Sequence, residues 1–209
     1  MARLSKTIAG EISSAVRIGR APSTTHAEIT HIGLRLFIDR GFDQVTVDEI
    51  SAACGIGRRT FFRYFPSKND LPWGEFDRML EGLRAHFRET GPQVPLAEAL
   101  RVAIVAFNHV PDHELAFHRQ RMELLLNVPT LVAHSTLRYA AWRQVVADFV
   151  AERTGYLPTD HGPQSLGWIC LGISLAAYEQ WLREETASLA DLINEGFATA
   201  ADTLAVRSP

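Results

Sequence analysis

Between Thr46 and Lys68 the chain reads TVDEISAACGIGRRTFFRYFPSK, which compresses two helix starts, a glycine-punctuated turn and four positive charges into one short block. Thr46 followed three residues later by Glu49 is a capping box, in which the threonine hydroxyl and the glutamate side chain each satisfy a backbone donor, so a helix begins at Val47. Val47, Ile50, Ala53 and Cys54 recur at helical spacing and predict one buried face, with Asp48, Glu49 and Ser51 elsewhere. Gly55 falls where the chain must stop, since glycine tolerates the left-handed conformation that ends helices, and Gly57 can open the next one. Two helices joined by a short glycine-containing turn form the arrangement whose second helix enters the major groove of DNA while the first crosses the phosphate backbone.

The second helix divides its side chains. Ile56, Phe61 and Phe65 are suited to hold it against the preceding helices, which leaves Arg58, Arg59, Phe62 and Arg63 facing outward. An arginine fork can grip O6 and N7 of guanine, Thr60 can bond a base edge or a phosphate, and a phenyl ring at Phe62 can meet a thymine methyl. Tyr64 and Lys68 lie where phosphate contacts are expected. The alternative is a solvated basic helix in an ordinary helical domain, because runs of charge usually face water.

The first helix of this unit starts near Thr24 or Thr25, with a second capping box at Thr25 and Glu28, buries Ile29, Ile32, Gly33, Leu36 and Phe37, and stops at Gly41. Residues 1–22 are expected to form a flexible basic arm, with Arg3, Lys6, Arg17 and Arg20 against Glu11, either reaching into a minor groove or serving as a leader without a role. Ser67 caps a predicted fourth helix running to about Glu89. Pro72 and Gly74 weaken its start, and ligand-driven bending is expected there. Gly91 to Pro95 reads as a linker. Apolar-periodic helices follow at about 96–109, 112–126, 130–154, 163–185 and 188–206, with no strand alternation of useful length.

The run Thr46, Gly55-Ile56, Thr60-Phe61-Phe62-Arg63-Tyr64-Phe65, Lys68 and Leu71, preceded by Arg40-Gly41-Phe42, resembles the DNA-binding domain of TetR-family transcriptional regulators over roughly residues 24–75. The resemblance implies that Thr46, Gly57, Arg58, Arg59, Thr60, Phe62, Tyr64 and Lys68 take the family's DNA-contact positions. Phe62 departs from the tyrosine common there, which removes one hydroxyl from the set. The extension through Pro72-Trp73-Gly74 is similar to regulators associated with the redox cofactor mycofactocin, a subgroup of that family. That implies control of redox-cofactor genes, with an acyl thioester such as a long-chain acyl-CoA as effector. The fold expected is all-α: a helix-turn-helix domain over residues 23–66 and a larger helical ligand-binding and dimerisation bundle over 67–209, about nine helices in all.

Charge placement suits that division. Residues 1–72 carry ten Lys and Arg against seven Asp and Glu, a formal +3, whereas the remainder carries eleven against seventeen, a formal −6. An acidic bulk turned away from DNA favours one docking orientation, although chance unevenness would look the same. Cys54 and Cys170 sit where small hydrophobes belong, so neither a disulfide nor a metal site is expected; a redox switch is the alternative. An apolar leader is missing, and Leu166 to Tyr178 is too short to span a bilayer, so a cytoplasmic protein is expected.

The second half is expected to do two jobs. Trp168, Leu171, Gly172, Leu175 and Trp181, with Leu189, Leu192, Ile193, Phe197 and Ala200, form an apolar surface for homodimerisation, unless they simply fill the monomer core. A dimer would present two reading heads to a palindromic operator. Phe107, Phe117, Met122, Trp142, Phe149 and Tyr178 could enclose a small-molecule effector, with Arg119, Arg121 and Arg138 available for an anionic group; the alternative is again ordinary core. The reading is therefore a ligand-responsive repressor that needs no cofactor, with an activator or ligand-independent regulator as the alternative. A metal-dependent enzyme built on His109, His113 and His118 is remote, because Pro111 interrupts the group and no catalytic motif accompanies it.

Overall fold

The structure is a computed structural model that describes residues 25–204; the basic leader of residues 1–22 lies outside the described residues. Helix α1 (His26–Arg40) opens on the predicted capping box, in which Glu28 N–H donates to the Thr25 hydroxyl at 3.2 Å and Thr25 N–H donates to the Glu28 carboxylate at 2.7 Å. It buries Ile29, Gly33 and Phe37 as its spacing predicts, but its other buried positions are Thr30 and Leu34 rather than Ile32 and Leu36. The inward stripe is rotated because α1 packs on two sides, against the reading helices and against segments that follow them. Helices α2 (Val47–Ala53) and α3 (Arg58–Tyr64) complete the head. In α2 the buried partner of Ile50 is Ser51, while Ala53 is exposed: the turn folds back over Ser51, whose carbonyl accepts from Ile56 N–H at 2.9 Å. Gly55 adopts φ 63° in that turn.

The predicted helix from Ser67 to Glu89 is two elements. A 3-10 segment, Lys68–Trp73, ends at Gly74, which takes φ 54° and ψ −133°, and α4 (Phe76–Glu89) starts afresh beyond it. That backbone is open to glycine and costly for other residues. Ser67 makes no backbone cap; its hydroxyl instead donates to Asp70 at 2.7 Å. Gly33 explains how this hinge reaches the head, since a Cβ there would lie 2.4 Å from Leu71 Cδ1. Leu71 is fully buried in the core of the head, and Trp73, two residues on, belongs to the second core.

The second core is built by α4, α5 (Leu96–Phe107), α6 (Leu115–Asn127), α7 (Pro129–Thr154), α8 (His161–Arg183) and α9 (Leu189–Leu204). The linker before α5 is held by Arg153, which donates to the carbonyls of Pro92 at 3.0 Å and Val94 at 2.5 Å. Helix α7 serves both cores, sending Leu131 into the head and Trp142 and Phe149 into the bundle. The surface expected for dimerisation divides: Leu171, Trp181, Leu189 and Ile193 are buried in the bundle, whereas Trp168 is 59 % exposed, and Ile169 beside it, outside the expected set, is 41 % exposed. Among the described residues all regular structure is helical, and no helix is long and apolar enough to cross a membrane.

Candidate nucleic-acid interface and effector cavity

The head is organised around Glu49. Its carboxylate accepts from Thr46 N–H and from the Thr46 hydroxyl, each at 2.8 Å, and pairs with Arg40 at 2.6 Å. The backbone hydrogen bond from Thr46, followed by Arg40, holds its pKa down to about 2. The α2 start is therefore fixed to the end of α1, and the exposed Thr46 side chain is oriented by the same bonds. On α3, Arg58 binds both carboxylate oxygens of Asp48, at 2.9 and 3.0 Å, with its guanidinium 5.5 Å from the Phe62 ring centre. Arg63 lies 5.1 Å over Tyr64, and Arg59 is exposed and forms no ion pair among the described residues. Phe62 is 42 % exposed beside the buried Phe61. Gly57 opens α3 in extended backbone, and Thr60 is half-buried one turn in.

Lys68, expected at a phosphate, is also bound within the head. Its ammonium donates to the carbonyls of Phe42 at 2.8 Å and Val45 at 3.0 Å and sits 4.2 Å from the Phe42 ring centre. Two of its three donors thus close the loop between α1 and α2, leaving one for an external anion.

Below the head, α4 to α8 and the hinge enclose a cavity of about 90 Å3. Phe107, Arg121, Met122, Trp142 and Tyr178 line it, as expected. Phe117 and Phe149 do not: Phe117 leaves the bundle to pack 4.6 Å from the His31 ring of α1, and Phe149 stacks on Phe87 at 4.1 Å. Of the three candidate arginines only Arg121 reaches the cavity. Arg119 lies 4.0 Å over Trp181 and donates to its carbonyl, and Arg138 is taken up by Asp70 and Asp77. Sequence reasoning missed His118, Tyr139 and the hinge residues Pro72, Trp73 and Phe76, all of which line the cavity. The Pro72-Trp73-Gly74 pattern marked a weak helix start but could not show that the break turns Trp73 inward.

His118 Nε2 lies 3.1 Å from the Tyr178 hydroxyl. Burial, aided by the nearby Arg121 charge, lowers its pKa to about 4, so the ring is neutral at pH 7. Burial also pushes the Tyr178 phenol up and the Arg121 guanidinium down. His109 and His113 are exposed, and no group of three His, Cys, Asp or Glu among the described residues is placed to hold a metal. Cys54 and Cys170 form no disulfide, and burial raises the Cys170 thiol to about 12.

Two family profiles match the sequence of these two units in order. Residues 29–71 match the profile of bacterial regulatory proteins of the tetR family, and residues 94–205 match the MftR C-terminal domain. The chain belongs to the TetR family of transcriptional regulators. It is 44 % identical over 181 residues, 87 % of this chain and 91 % of the relative, to a Mycobacterium tuberculosis protein described as a candidate mycofactocin biosynthesis transcriptional regulator, MftR. It is 26 % identical over 190 residues, 86 % of this chain and 82 % of the relative, to the HTH-type transcriptional regulator TcmR of Streptomyces glaucescens. Its fold is that of Thermus thermophilus FadR, a TetR-family repressor solved with lauroyl-CoA, at 21 % identity and TM-score 0.57 over 88 % of this chain and 97 % of that one. As a TetR-family regulator, not an enzyme, it carries the head as its reader of DNA and the bundle as its second domain.

Proposed function

We propose that this TetR-family regulator is a homodimeric repressor that holds a palindromic operator until a small amphipathic effector occupies the cavity beside the hinge. The observation that carries the reading is that Trp73 and Phe76 are at once cavity wall and the connection to the reading head. A cavity of about 90 Å3 is smaller than the roughly 150 Å3 void that takes up benzene. An effector of any size must therefore push its walls, which include two methionines able to repack, and the hinge is part of what moves. A ligand that fits only the expanded form shifts the head by its differential affinity for the two states.

In this reading Arg58, Arg59, Thr60 and Phe62 face bases, while Thr46, Gly57, Tyr64 and Lys68 take phosphates. The exposed Trp168 and Ile169 on α8 and the open groove between α8 and α9, walled by Gly172, Ala176, Gly196 and Ala200, form the dimer face. Small residues there let a second copy approach closely, and two-fold pairing sets half-sites about 34–36 Å apart. In this reading the hinge that joins the two units runs past residue 66, with Leu71 in the core of the head and Trp73 in that of the bundle. The relative described as MftR supports control of mycofactocin-related redox genes, and the lauroyl-CoA bound to the Thermus repressor supports an acyl-CoA as a member of the effector class.

The test is fluorescence-anisotropy titration of the DNA flanking the regulator's own gene, with and without acyl-CoA, alongside size-exclusion chromatography. A dimer that binds this DNA at nanomolar concentration and releases it on adding ligand is expected. A monomer, or a dimer whose binding no acyl-CoA changes, overturns the reading.

A further inference from the structure

Four of the buried polar atoms that lack a hydrogen-bond partner gather in one region, whereas others, on Ser51, Arg143 and Arg153, lie elsewhere. Arg121 Nε, Trp73 Nε1, Thr30 Oγ1 and His26 Nδ1 are all buried and all lack a hydrogen-bond partner. They come from three elements, α6, the 3-10 segment and α1, yet they lie along one path. The inner cavity is lined by Trp73, Met79 and Arg121, and the same three residues line an open groove of about 710 Å3 on its outer side. The far wall of that groove is the reading head itself: His26, Thr30, His31 and Ile32 of α1. Opposite stand Gly74 and Glu75 of the hinge and His113, Glu114 and Phe117 at the start of α6.

Two of the four orphans, Thr30 and Trp73, are 5 % and 8 % exposed. Unsatisfied buried polar groups destabilise the conformation that holds them, and native structures carry few without a reason. Arg121 adds a charge, for it forms no ion pair among the described residues, and burial already disfavours its protonated form. The Arg121 and Trp73 atoms can only donate, and the Thr30 hydroxyl can donate as well. What would satisfy them is a ligand rich in acceptors, such as a carbonyl, a carboxylate or a thioester.

We propose that the effector site crosses the boundary between the two units: an apolar chain fills the inner cavity, its acceptor group passes Arg121 and Trp73, and its polar end lies in the groove walled by α1. The inference rests on the effector reading above and adds that the DNA-reading head forms the outer half of the site. Entry along this path separates α1 from the start of α6 and from the hinge, where Thr30 now packs 3.6 Å from the position a Gly74 Cβ would take. Release of DNA then follows from direct displacement of the head rather than from a signal carried through the bundle alone.

The probes are hexadecanoate, hexadecanoyl-CoA and free CoA, titrated against the operator complex of the full chain. Release by hexadecanoate and hexadecanoyl-CoA alike assigns recognition to the acyl chain and its carbonyl, and release by the thioester alone extends it to the CoA portion; free CoA is expected to do nothing. Thr30→Val removes the orphan hydroxyl without changing shape, so operator affinity and Tm hold or rise while the effector concentration for half-release increases about fivefold. Met122→Trp fills the inner cavity and abolishes the response. As a second measurement, a hexadecanoyl chain carrying a diazirine beside its carbonyl is photolysed on the wild-type protein, and labelled peptides are expected from α1. If Met122→Trp abolishes release but Thr30→Val behaves as wild type and labels fall only on α4 to α8, the effector reading stands and the two-sided site is overturned. If no probe releases the wild-type protein from DNA, the effector reading fails and the inference falls with it.

Discussion

Asp70 of the hinge and Arg138 of α7 meet at 2.8 Å, with side chains only 9 % and 21 % exposed, across the boundary between the head and the bundle. His134, one turn earlier on α7, reaches the same carboxylate oxygen at 3.0 Å, and Ser67 donates to the other. Through Asp77 on α4, Arg138 also ties the far side of the Gly74 break. One arginine therefore grips the chain before and after its weakest point.

Burial pushes the Asp70 carboxyl up, but the bonds from Ser67, Arg138 and His134 outweigh it and hold its pKa below the usual value. A depressed folded-state pKa gives stability that is present above about pH 4 and is lost as pH falls through the folded value. Asp70→Asn is expected to cost about 2 kcal/mol at pH 7, measured by urea unfolding, with the gap to wild type closing below about pH 4. A gap constant down to pH 2 contradicts the assignment.

His118 also loses stability as pH falls, here because burial disfavours its cation. Its folded pKa near 4 lies below the 6.5 of an exposed imidazole, so the unfolded chain takes up a proton first as pH falls. Stability should decline between about pH 6.5 and 4, by on the order of 2–3 kcal/mol from this group. His118→Gln keeps a partner for Tyr178 and should remove most of that slope; His26, also lowered by burial, supplies a remainder.

Under the proposed contacts, Arg59 and Lys68 separate base reading from backbone grip. Arg59→Ala should weaken operator binding by about 1–3 kcal/mol and relax the base preference at one position, with thermal stability unchanged. Lys68→Met should lower affinity for all sequences and also lower Tm, because the α1–α2 loop loses its clamp on Phe42 and Val45. Anisotropy with operator and scrambled DNA, paired with calorimetry, tells them apart; a Tm unchanged by Lys68→Met would show the clamp to be idle.

Gly33→Ala places a methyl group 2.4 Å from the fully buried Leu71 side chain, which must shift to make room. Overpacking of this kind costs about 1–3 kcal/mol. Hydrogen exchange should then report faster opening of residues 68–74, and unchanged protection there would mean that the hinge docks by other contacts.

Local chemistry carried most of the fold. The two capping boxes, the Gly55 turn and the five later helices could be read from spacing, because each is decided by neighbours within one or two turns. The hinge was legible only as a weakness at Pro72 and Gly74; that it becomes a 3-10 segment is decided by Leu71 reaching Gly33 and Asp70 reaching Arg138, partners 38 and 68 residues away. Five of the seven residues expected around a cavity do line one, because large side chains on facing helices tend to converge. Phe117 and Phe149 were misplaced because periodicity shows that a ring is buried but not against which neighbour. The outward arginines of α3 were legible, whereas the inward turn of Lys68 depended on carbonyls presented by a distant loop.

Leu131 stands fully buried among the residues of the head although it belongs to the first turn of α7. Part of the head's interior is thus supplied by a helix that begins more than sixty residues after α3 ends. In this protein, bundle and reading head are not interchangeable parts. A chimera that joins this head to another regulator's bundle at residue 66 would leave a hole where that leucine belongs, and new pairings of operator and effector would have to bring the start of α7 along with the head.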